Sequence, residues 1–201
     1  MDSSTAAWRP PLSELDMHFA DLQPTLRGSL VELRPLHADD WRALFAVASD
    51  PQIWVQHPES DRYTEPVFRE FFRVALESRG ALIASDAASG AVIGSSRFYG
   101  YDEARREVEI GWTFLARSHW GGQYNGEMKS LMLQHAFQFV DSVIFVIGPL
   151  NIRSQRAVQQ IGGQFDGTRV IRDKESVVYR LRKPQEDGAD SPAQQGAAPV
   201  A

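Results

Sequence analysis

The sequence HWGGQYNGE, residues 119–127, separates two segments of different periodicity. Before it, residues 105–115 alternate apolar and polar side chains, which predicts a β-strand. After it, residues 128–140 place apolar side chains at helical spacing. A strand therefore runs into a glycine-rich turn that opens a helix. Such a turn directs backbone N–H groups and the positive end of the helix dipole at one point. This favours binding of a phosphate or pyrophosphate, although an ordinary loop with two glycines would show the same pattern.

The composition is typical of a globular protein with one sizeable core. The chain has 201 residues, of which 43% are hydrophobic, and a net charge of −5, which argues against a broad nucleic-acid surface. The absence of cysteine excludes disulfides, thiolate metal sites and a cysteine-borne covalent intermediate. The spacing of histidines and carboxylates predicts no metal site. No apolar run approaches a membrane span and no signal peptide is evident, so we predict a cytoplasmic protein without a membrane partner.

The order of the periodic segments predicts the fold class. It is strand, two helices, three antiparallel strands, helix, strand, helix and two strands. This predicts an α/β (α+β) fold with a mixed, mostly antiparallel central sheet of about seven strands and helices on both faces. We expect the domain to span residues 27–183. Residues 1–26 are predicted to form an extended arm, and residues 184–201 a disordered tail with little to bury.

Three stretches resemble the GCN5-related N-acetyltransferase (GNAT) superfamily. They are VEIGW at 108–112, WGGQYNGE at 120–127 and NIRSQRA at 151–157. The resemblance covers residues 27–183 and is closer to the branch that contains ribosomal-protein N-terminal acetyltransferases. It implies a GNAT-like fold in which acetyl-coenzyme A, as a co-substrate, lies between two central strands that splay apart.

The resemblance also implies which residues bind the cofactor. The backbone of Phe114 and Leu115 is expected to bond the pantetheine arm. Asn151 would bond either that arm or its own helix start, and Arg156 faces either solvent or the 3′-phosphate. The loop residues expected to bind the pyrophosphate are Trp120, Gly121, Gly122, Gln123, Tyr124 and Asn125.

The loop departs from the family pattern at two positions. The family usually keeps glycine or alanine where this chain has Gln123 and Asn125. Backbone donors do not depend on side chains, so the site can still bind a pyrophosphate. The two larger side chains either reach the ligand or narrow the site.

Two residues are candidates for proton transfer in acyl transfer to an amine. On an alternating strand, Glu109 shares a face with Gly111 and Thr113, and a carboxylate beside apolar strands can act as a general base near neutral pH. The alternative is a structural ion pair with Arg97, Arg106 or Arg117. Ser154 could donate to the departing sulfur, or it could cap its helix together with Asn151.

The acceptor site and the reaction are predicted from the same resemblance. We assign Trp54, His57 and Arg97 to substrate binding. The chain is then an acetyl-coenzyme A dependent N-acetyltransferase that acts by direct transfer in a ternary complex. The acceptor would be a primary amine, either a protein N-terminus or a small molecule. The alternative is a non-catalytic module on the same fold that binds acyl-coenzyme A or another protein. Residues 177–179 could pair two copies into a homodimer or belong to the core.

Overall fold

The computed structural model describes residues 23–184, so most of the predicted arm and almost all of the predicted tail lie outside the described residues. Eight strands form one sheet. They are β1 (Leu26–Arg27), β2 (Val31–Pro35), β3 (Ala81–Asp86), β4 (Val92–Asp102), β5 (Glu107–Leu115), β6 (Ser142–Ile147), β7 (Gln164–Ile171) and β8 (Lys174–Arg182). The helices are α1 (Trp41–Ala48), α2 (Glu65–Glu77), α3 (Gln123–Ala136) and α4 (Ile152–Gln160). Short 3₁₀ turns cover Ala38–Asp40, Pro51–Ile53 and Arg117–His119.

The sheet has the order β1-β2-β3-β4-β5-β6-β8-β7. Its pairs are antiparallel except for β5 with β6, which is parallel. The prediction of a mixed, mostly antiparallel sheet is therefore confirmed. The additional strand is β1, whose two residues lie at the border between the predicted arm and domain and pair with β2.

Two apolar clusters hold the helices on opposite faces of the sheet. The apolar faces of α1 and α2 supply Leu44, Phe68 and Phe72 to one cluster, which also contains Phe114 of β5. The other cluster takes methionines and alanine from α3 and Val158 from α4. Each helix thus buries the side chains that recur at helical spacing, as amphipathic helices on a sheet do.

A bulge in β5 changes which side chains share a face. Trp112 has φ = 52°, and the β4–β5 register shifts between Ser95 and Arg97. After the bulge, the Thr113 hydroxyl accepts a hydrogen bond from Lys129 of α3, whereas Phe114 packs against rings of α2. The prediction that Thr113 shares a face with Glu109 was therefore wrong, because simple alternation does not continue through a bulge.

The two central strands separate just before the bulge at Trp112. Parallel pairing of β5 with β6 is confined to residues 107–109 and 142–144, ending at Glu109 opposite Ile144. Beyond that point β6 continues to pair with β8 as far as Ile147, and β5 continues to pair with β4. The edge of β5 that faces β6 is consequently unpaired over its second half. We call this opening the strand gap.

Strand β8 lies between β6 and β7 and is therefore an interior strand. Val178 and Tyr179 are buried in it. Of the two alternatives for residues 177–179, the core assignment is correct, since both edges of β8 already have partners. Within residues 23–184, none of the helices has the length and apolar character needed to cross a bilayer.

Candidate functional site

The glycine turn before α3 has the geometry of an anion site. Gly121 and Gly122 have φ = 108° and 109°, a region that L side chains rarely adopt. A β carbon at either position would meet nothing within 4 Å, so conformation rather than crowding requires glycine there. The helix begins at Gln123, and the N–H groups of its first turn have no preceding carbonyl to bond. Because no side chain of residues 23–184 caps this helix end, those donors are open to a ligand.

Two aromatic side chains of the loop are hydrogen-bonded to the body of the protein. The Trp120 indole donates from Nε1 to the Leu115 carbonyl at 2.9 Å, and the Arg153 guanidinium lies 4.2 Å from the centre of its ring. The Tyr124 hydroxyl donates to Asp86 at 2.8 Å. Hydrogen bonds from Ser89 and from Tyr124 lower the pKa of Asp86 to about 2. Trp120 and Tyr124 therefore fix the loop, and the backbone remains available to a ligand.

Gln123 and Asn125 occupy the first turn of α3. Gln123 is exposed and Asn125 is half-buried. A side chain exposed at this position has room to reach a bound anion or to turn away from it. Both alternatives for these two residues stay predictions.

Glu127 anchors this end of α3 to the edge of the sheet, a role that sequence reasoning missed. Its carboxylate accepts four hydrogen bonds, from the backbone N–H groups of Ser29, Leu30 and Val31 and from the Ser29 hydroxyl, at 2.6–2.9 Å. Burial acts to raise the pKa of Glu127, but these hydrogen bonds outweigh it and the pKa is lowered.

Of the predicted cofactor residues, Phe114 and Leu115 border the strand gap, and Asn151 and Arg156 belong to the start of α4, which follows β6. Phe114 and Leu115 bury their side chains in the two clusters while their backbone borders the gap, which leaves the predicted pantetheine bonds open. Asn151 is the cap of α4, since its Oδ1 accepts the Ser154 N–H at 3.2 Å. The helix-start alternative for Asn151 is therefore realised. Ser154 is the capped residue and not the cap, which leaves its hydroxyl for another role. Arg156 is exposed on α4.

A buried lysine lies beneath the gap on the α3 side. Lys129 is 5% exposed, donates to the hydroxyls of Ser96 and Thr113, and sits 5.6 Å from the Phe145 ring centre. None of these partners carries a negative charge. Burial lowers the pKa of Lys129 to about 7.

This lysine should make stability depend on pH. Its folded pKa of about 7 lies below the ordinary lysine pKa of about 10.4, so between these values the unfolded chain binds one more proton than the native chain. The free energy of unfolding contributed by Lys129 should therefore rise from pH 7 to pH 9. Urea unfolding of wild type and Lys129→Met at both pH values measures this. The variant should lack that rise, and parallel changes in the two proteins would contradict the assignment.

The segment between α1 and α2 covers the opposite face of the gap. Trp54 is buried, donates from Nε1 to the Ala48 carbonyl at 2.7 Å and packs 5.1 Å from the Phe114 ring. The His57 ring accepts the Glu59 N–H at Nδ1, and its Nε2 lies 3.2 Å from Arg62. Burial and the charge of Arg62 lower the pKa of His57 to about 4, so this ring is neutral at neutral pH.

Glu109 is paired with an arginine from the β7–β8 turn. Its two oxygens accept from Arg172 at 2.8 and 2.9 Å, while Glu109 itself is 5% exposed. The three arginines proposed as its ion-pair partners were wrong: Arg106 pairs with Asp141, Arg117 pairs with Asp50, and Arg97 makes no ion pair with a described carboxylate. The guanidinium of Arg172 also lies 4.8 Å from the centre of the Trp112 ring. A carboxylate offers about four lone-pair sites, so this pair leaves part of Glu109 free to accept a proton.

The structure thus brings the predicted residues to two sides of one opening. Gly121 to Asn125 follow the C-terminal end of β5. The acceptor candidates His57, Arg97 and Glu109 lie on the side of the sheet that is covered by α1 and α2. Arg62 and Arg172 join the latter group although no local pattern indicated them. Among residues 23–184, no group of three histidine, aspartate or glutamate side chains is placed to hold a metal ion.

Comparison with known proteins relates this chain to acetyltransferases by both sequence and fold. Residues 31–164 match the family described as "Acetyltransferase (GNAT) domain". A comparison with curated proteins finds no match. Among solved structures, an acetyltransferase from Agrobacterium tumefaciens is 27% identical with a TM-score of 0.64, covering 80% of this chain and 95% of its own.

Two other structures share the fold at lower identity. A GCN5-related N-acetyltransferase from Brucella melitensis has a TM-score of 0.70 at 23% identity, covering 80% of this chain and 79% of its own. Mycobacterium smegmatis RimJ, in complex with CoA-disulfide, has a TM-score of 0.60 at 17% identity, covering 79% of this chain and 86% of its own. At such identities the likeness concerns the fold alone, so membership of the ribosomal-protein branch stays a prediction.

Proposed function

Because this chain belongs to the GNAT acetyltransferase family, we propose that it transfers an acetyl group from acetyl-coenzyme A to the nitrogen of a primary amine. The observation that carries the proposal is the open helix end at Gln123 beside the strand gap. Backbone donors at one end of an opening between strands can hold a pyrophosphate, and the gap has unpaired backbone for an extended arm.

The fit of coenzyme A rests on residues that leave room for it. The positive φ of Gly121 and Gly122 and the empty space above them suit a closely approaching phosphate. The N–H groups of Gln123, Tyr124 and Asn125 would hold the pyrophosphate, and the β5 backbone near Phe114 and Leu115 would hold the pantetheine. When bound, acetyl-coenzyme A supplies the acetyl group as a thioester, so the new C–N bond forms as the C–S bond breaks.

We assign the proton transfers to two residues of this chain. Glu109, with the lone pairs that Arg172 leaves free, accepts the proton that the amine loses, directly or through a water. Ser154 would donate a proton toward the leaving sulfur, and this assignment is supported by its hydroxyl not capping α4, a role that Asn151 takes. No cysteine is present, so direct transfer in a ternary complex is the proposed route.

The experiment is release of free thiol from acetyl-coenzyme A across a panel of amines, alongside calorimetric titration with coenzyme A. We expect amine-dependent thiol release together with coenzyme A binding. Binding without turnover of any amine would support the non-catalytic alternative, in which the chain only holds acyl-coenzyme A. Neither heat nor a thermal shift at millimolar ligand would contradict both.

The location of the protein and the kind of acceptor are further parts of the proposal. A cytoplasmic location is part of the proposal and is supported by the cysteine-free sequence. The proposed chemistry applies equally to a protein N-terminus and to a small amine as the acceptor.

A further inference from the structure

Arg97 is a buried cation that forms no ion pair with a described carboxylate, although the charge of Glu109 acts on it at longer range. It is 2% exposed, and its Nε has no hydrogen-bond partner within residues 23–184. Its neighbours are different: Arg172 pairs with Glu109, and both Arg62 and Lys174 pair with Glu59. The exposed Asp61 acts on Arg62 at longer range. A buried, unpaired guanidinium destabilises the folded chain. An arginine at this position is therefore better explained by a functional role than by stability.

Aromatic rings hold Arg97 in place without satisfying its donors. The guanidinium carbon lies 4.7 Å from the Trp112 ring centre and 5.5 Å from that of Phe71. Burial, and then the positive charge of Arg62, lower the pKa of Arg97 to about 10, so the side chain is still charged at neutral pH. Rings attract a cation through their faces but accept no strong hydrogen bond, whereas a guanidinium presents five N–H donors.

The position of Arg97 places this cation beside the proposed reaction site. Arg97 pairs with Gly111 across β4 and β5, and Gly111 and Trp112 are partly exposed where the strand gap opens. Glu109 lies on the same face, since a β carbon on Gly111 would come within 3.0 Å of the Glu109 carboxylate. A carboxylate and an unpaired guanidinium therefore stand on either side of the same glycine.

We propose that Arg97 binds a carboxylate of the acceptor, so that the acceptor is a free amino acid or a similarly small amino-carboxylic acid. This inference rests on the proposed function and names its substrate class. The acceptor's amine is directed toward Glu109, and its carboxylate supplies the oxygens that the Arg97 donors lack. Planar carboxylates and guanidinium groups form paired, charge-assisted hydrogen bonds, which gives the site orientation as well as affinity.

The test compares amino acids with their own carboxamides as acceptors. Each pair shares one side chain and one amine and differs only in the carboxylate, and rates are corrected for the fraction of unprotonated amine. We expect kcat/KM for the acid to exceed that for the amide by roughly 10- to 100-fold, the range of a charge-assisted hydrogen bond. Equal corrected values for acids and amides would overturn the inference.

Two variants and one control assign the preference to Arg97. Arg97→Met should raise KM for the acid by about the same factor, leave the amide nearly unchanged, and melt no earlier than wild type, since replacing an unpaired buried charge by an apolar side chain relieves its desolvation. Arg97→Lys should keep part of the preference. Arg73→Met, on the exposed face of α2, is the matched control and should retain all of it.

The outcomes separate this inference from the proposed function. Turnover of amines without any preference for acids would leave the N-acetyltransferase standing and remove the role of Arg97. Equal losses for acid and amide in Arg97→Met, or a marked fall in its melting temperature, would make Arg97 a structural residue and overturn the inference. Absence of turnover with every amine would contradict the proposed function itself.

Discussion

Replacing Glu127 by alanine is expected to lower the free energy of unfolding by about 3 kcal/mol, the upper range for hydrogen bonds to a charged group. The carboxylate accepts four hydrogen bonds from the turn between β1 and β2, and three of their donors are backbone N–H groups. Alanine leaves those donors without acceptors in a partly buried place. Denaturant unfolding at neutral pH measures the difference.

The control for Glu127 is an exposed helical glutamate with a single ion-pair partner. Glu77 on α2 is exposed and pairs with Arg73, so Glu77→Ala should change stability by less than about 1 kcal/mol. Because hydrogen bonds lower the folded pKa of Glu127, its contribution is present above the ordinary glutamate pKa and is lost as pH falls through the lowered value. Equal destabilisation by the two variants, or a Glu127→Ala effect unchanged in acid, would contradict the assignment.

Loss of this anchor should also weaken coenzyme A binding. Glu127 lies in the second turn of α3, directly after the donors of Gln123, Tyr124 and Asn125. Its bonds hold that helix end against the start of β2. A shifted helix would move these N–H donors away from the strand gap. Glu127→Ala should therefore lower both the free energy of unfolding and the affinity for coenzyme A.

Local pattern was sufficient for the four helices, for every strand except β1, and for the order of these elements. The alternation in 105–115 and the helical spacing in 128–140 each reflect one buried face, which a single segment displays in its own sequence. The bulge at Trp112 was not predictable in this way, because φ = 52° at a tryptophan is imposed by the partner strands. It also decided that Thr113 faces Lys129 and not the acceptor side.

The site was predictable in its backbone and less so in its ion pairs. The glycine turn carries its signal locally, because Gly121 and Gly122 permit a conformation that other residues resist. Glu109 and Arg172 are 63 positions apart and meet only when the β7–β8 turn folds over β5. Periodicity contains no information on such long-range pairs. Arg97 was named as a substrate residue, but its lack of a carboxylate partner required the structure.

Glu109→Gln is expected to lower kcat by roughly 10²–10⁴-fold with little change in coenzyme A affinity, the usual loss when a general base is removed. Glutamine keeps the size of the side chain and one oxygen for Arg172 but cannot accept the proton of the amine. The measurement is steady-state thiol release, with calorimetry for coenzyme A. Glu107→Gln is the matched control. Glu107 is also buried on β5 and paired with an arginine, Arg180, but it lies at the end remote from Leu115 and the glycine turn. It should lose stability and keep kcat.

Arg172→Met separates proton transfer from the ion pair. It removes the same pair as Glu109→Gln but leaves the carboxylate, now in buried surroundings without its cation. Because the carboxylate can still accept the amine proton, turnover should persist with a kcat well above that of Glu109→Gln. If Glu109 serves only to hold Arg172, the two variants should lose activity in parallel and melt earlier together. The kcat of Arg172→Met relative to that of Glu109→Gln therefore distinguishes a base that an arginine restrains from an anchor for that arginine.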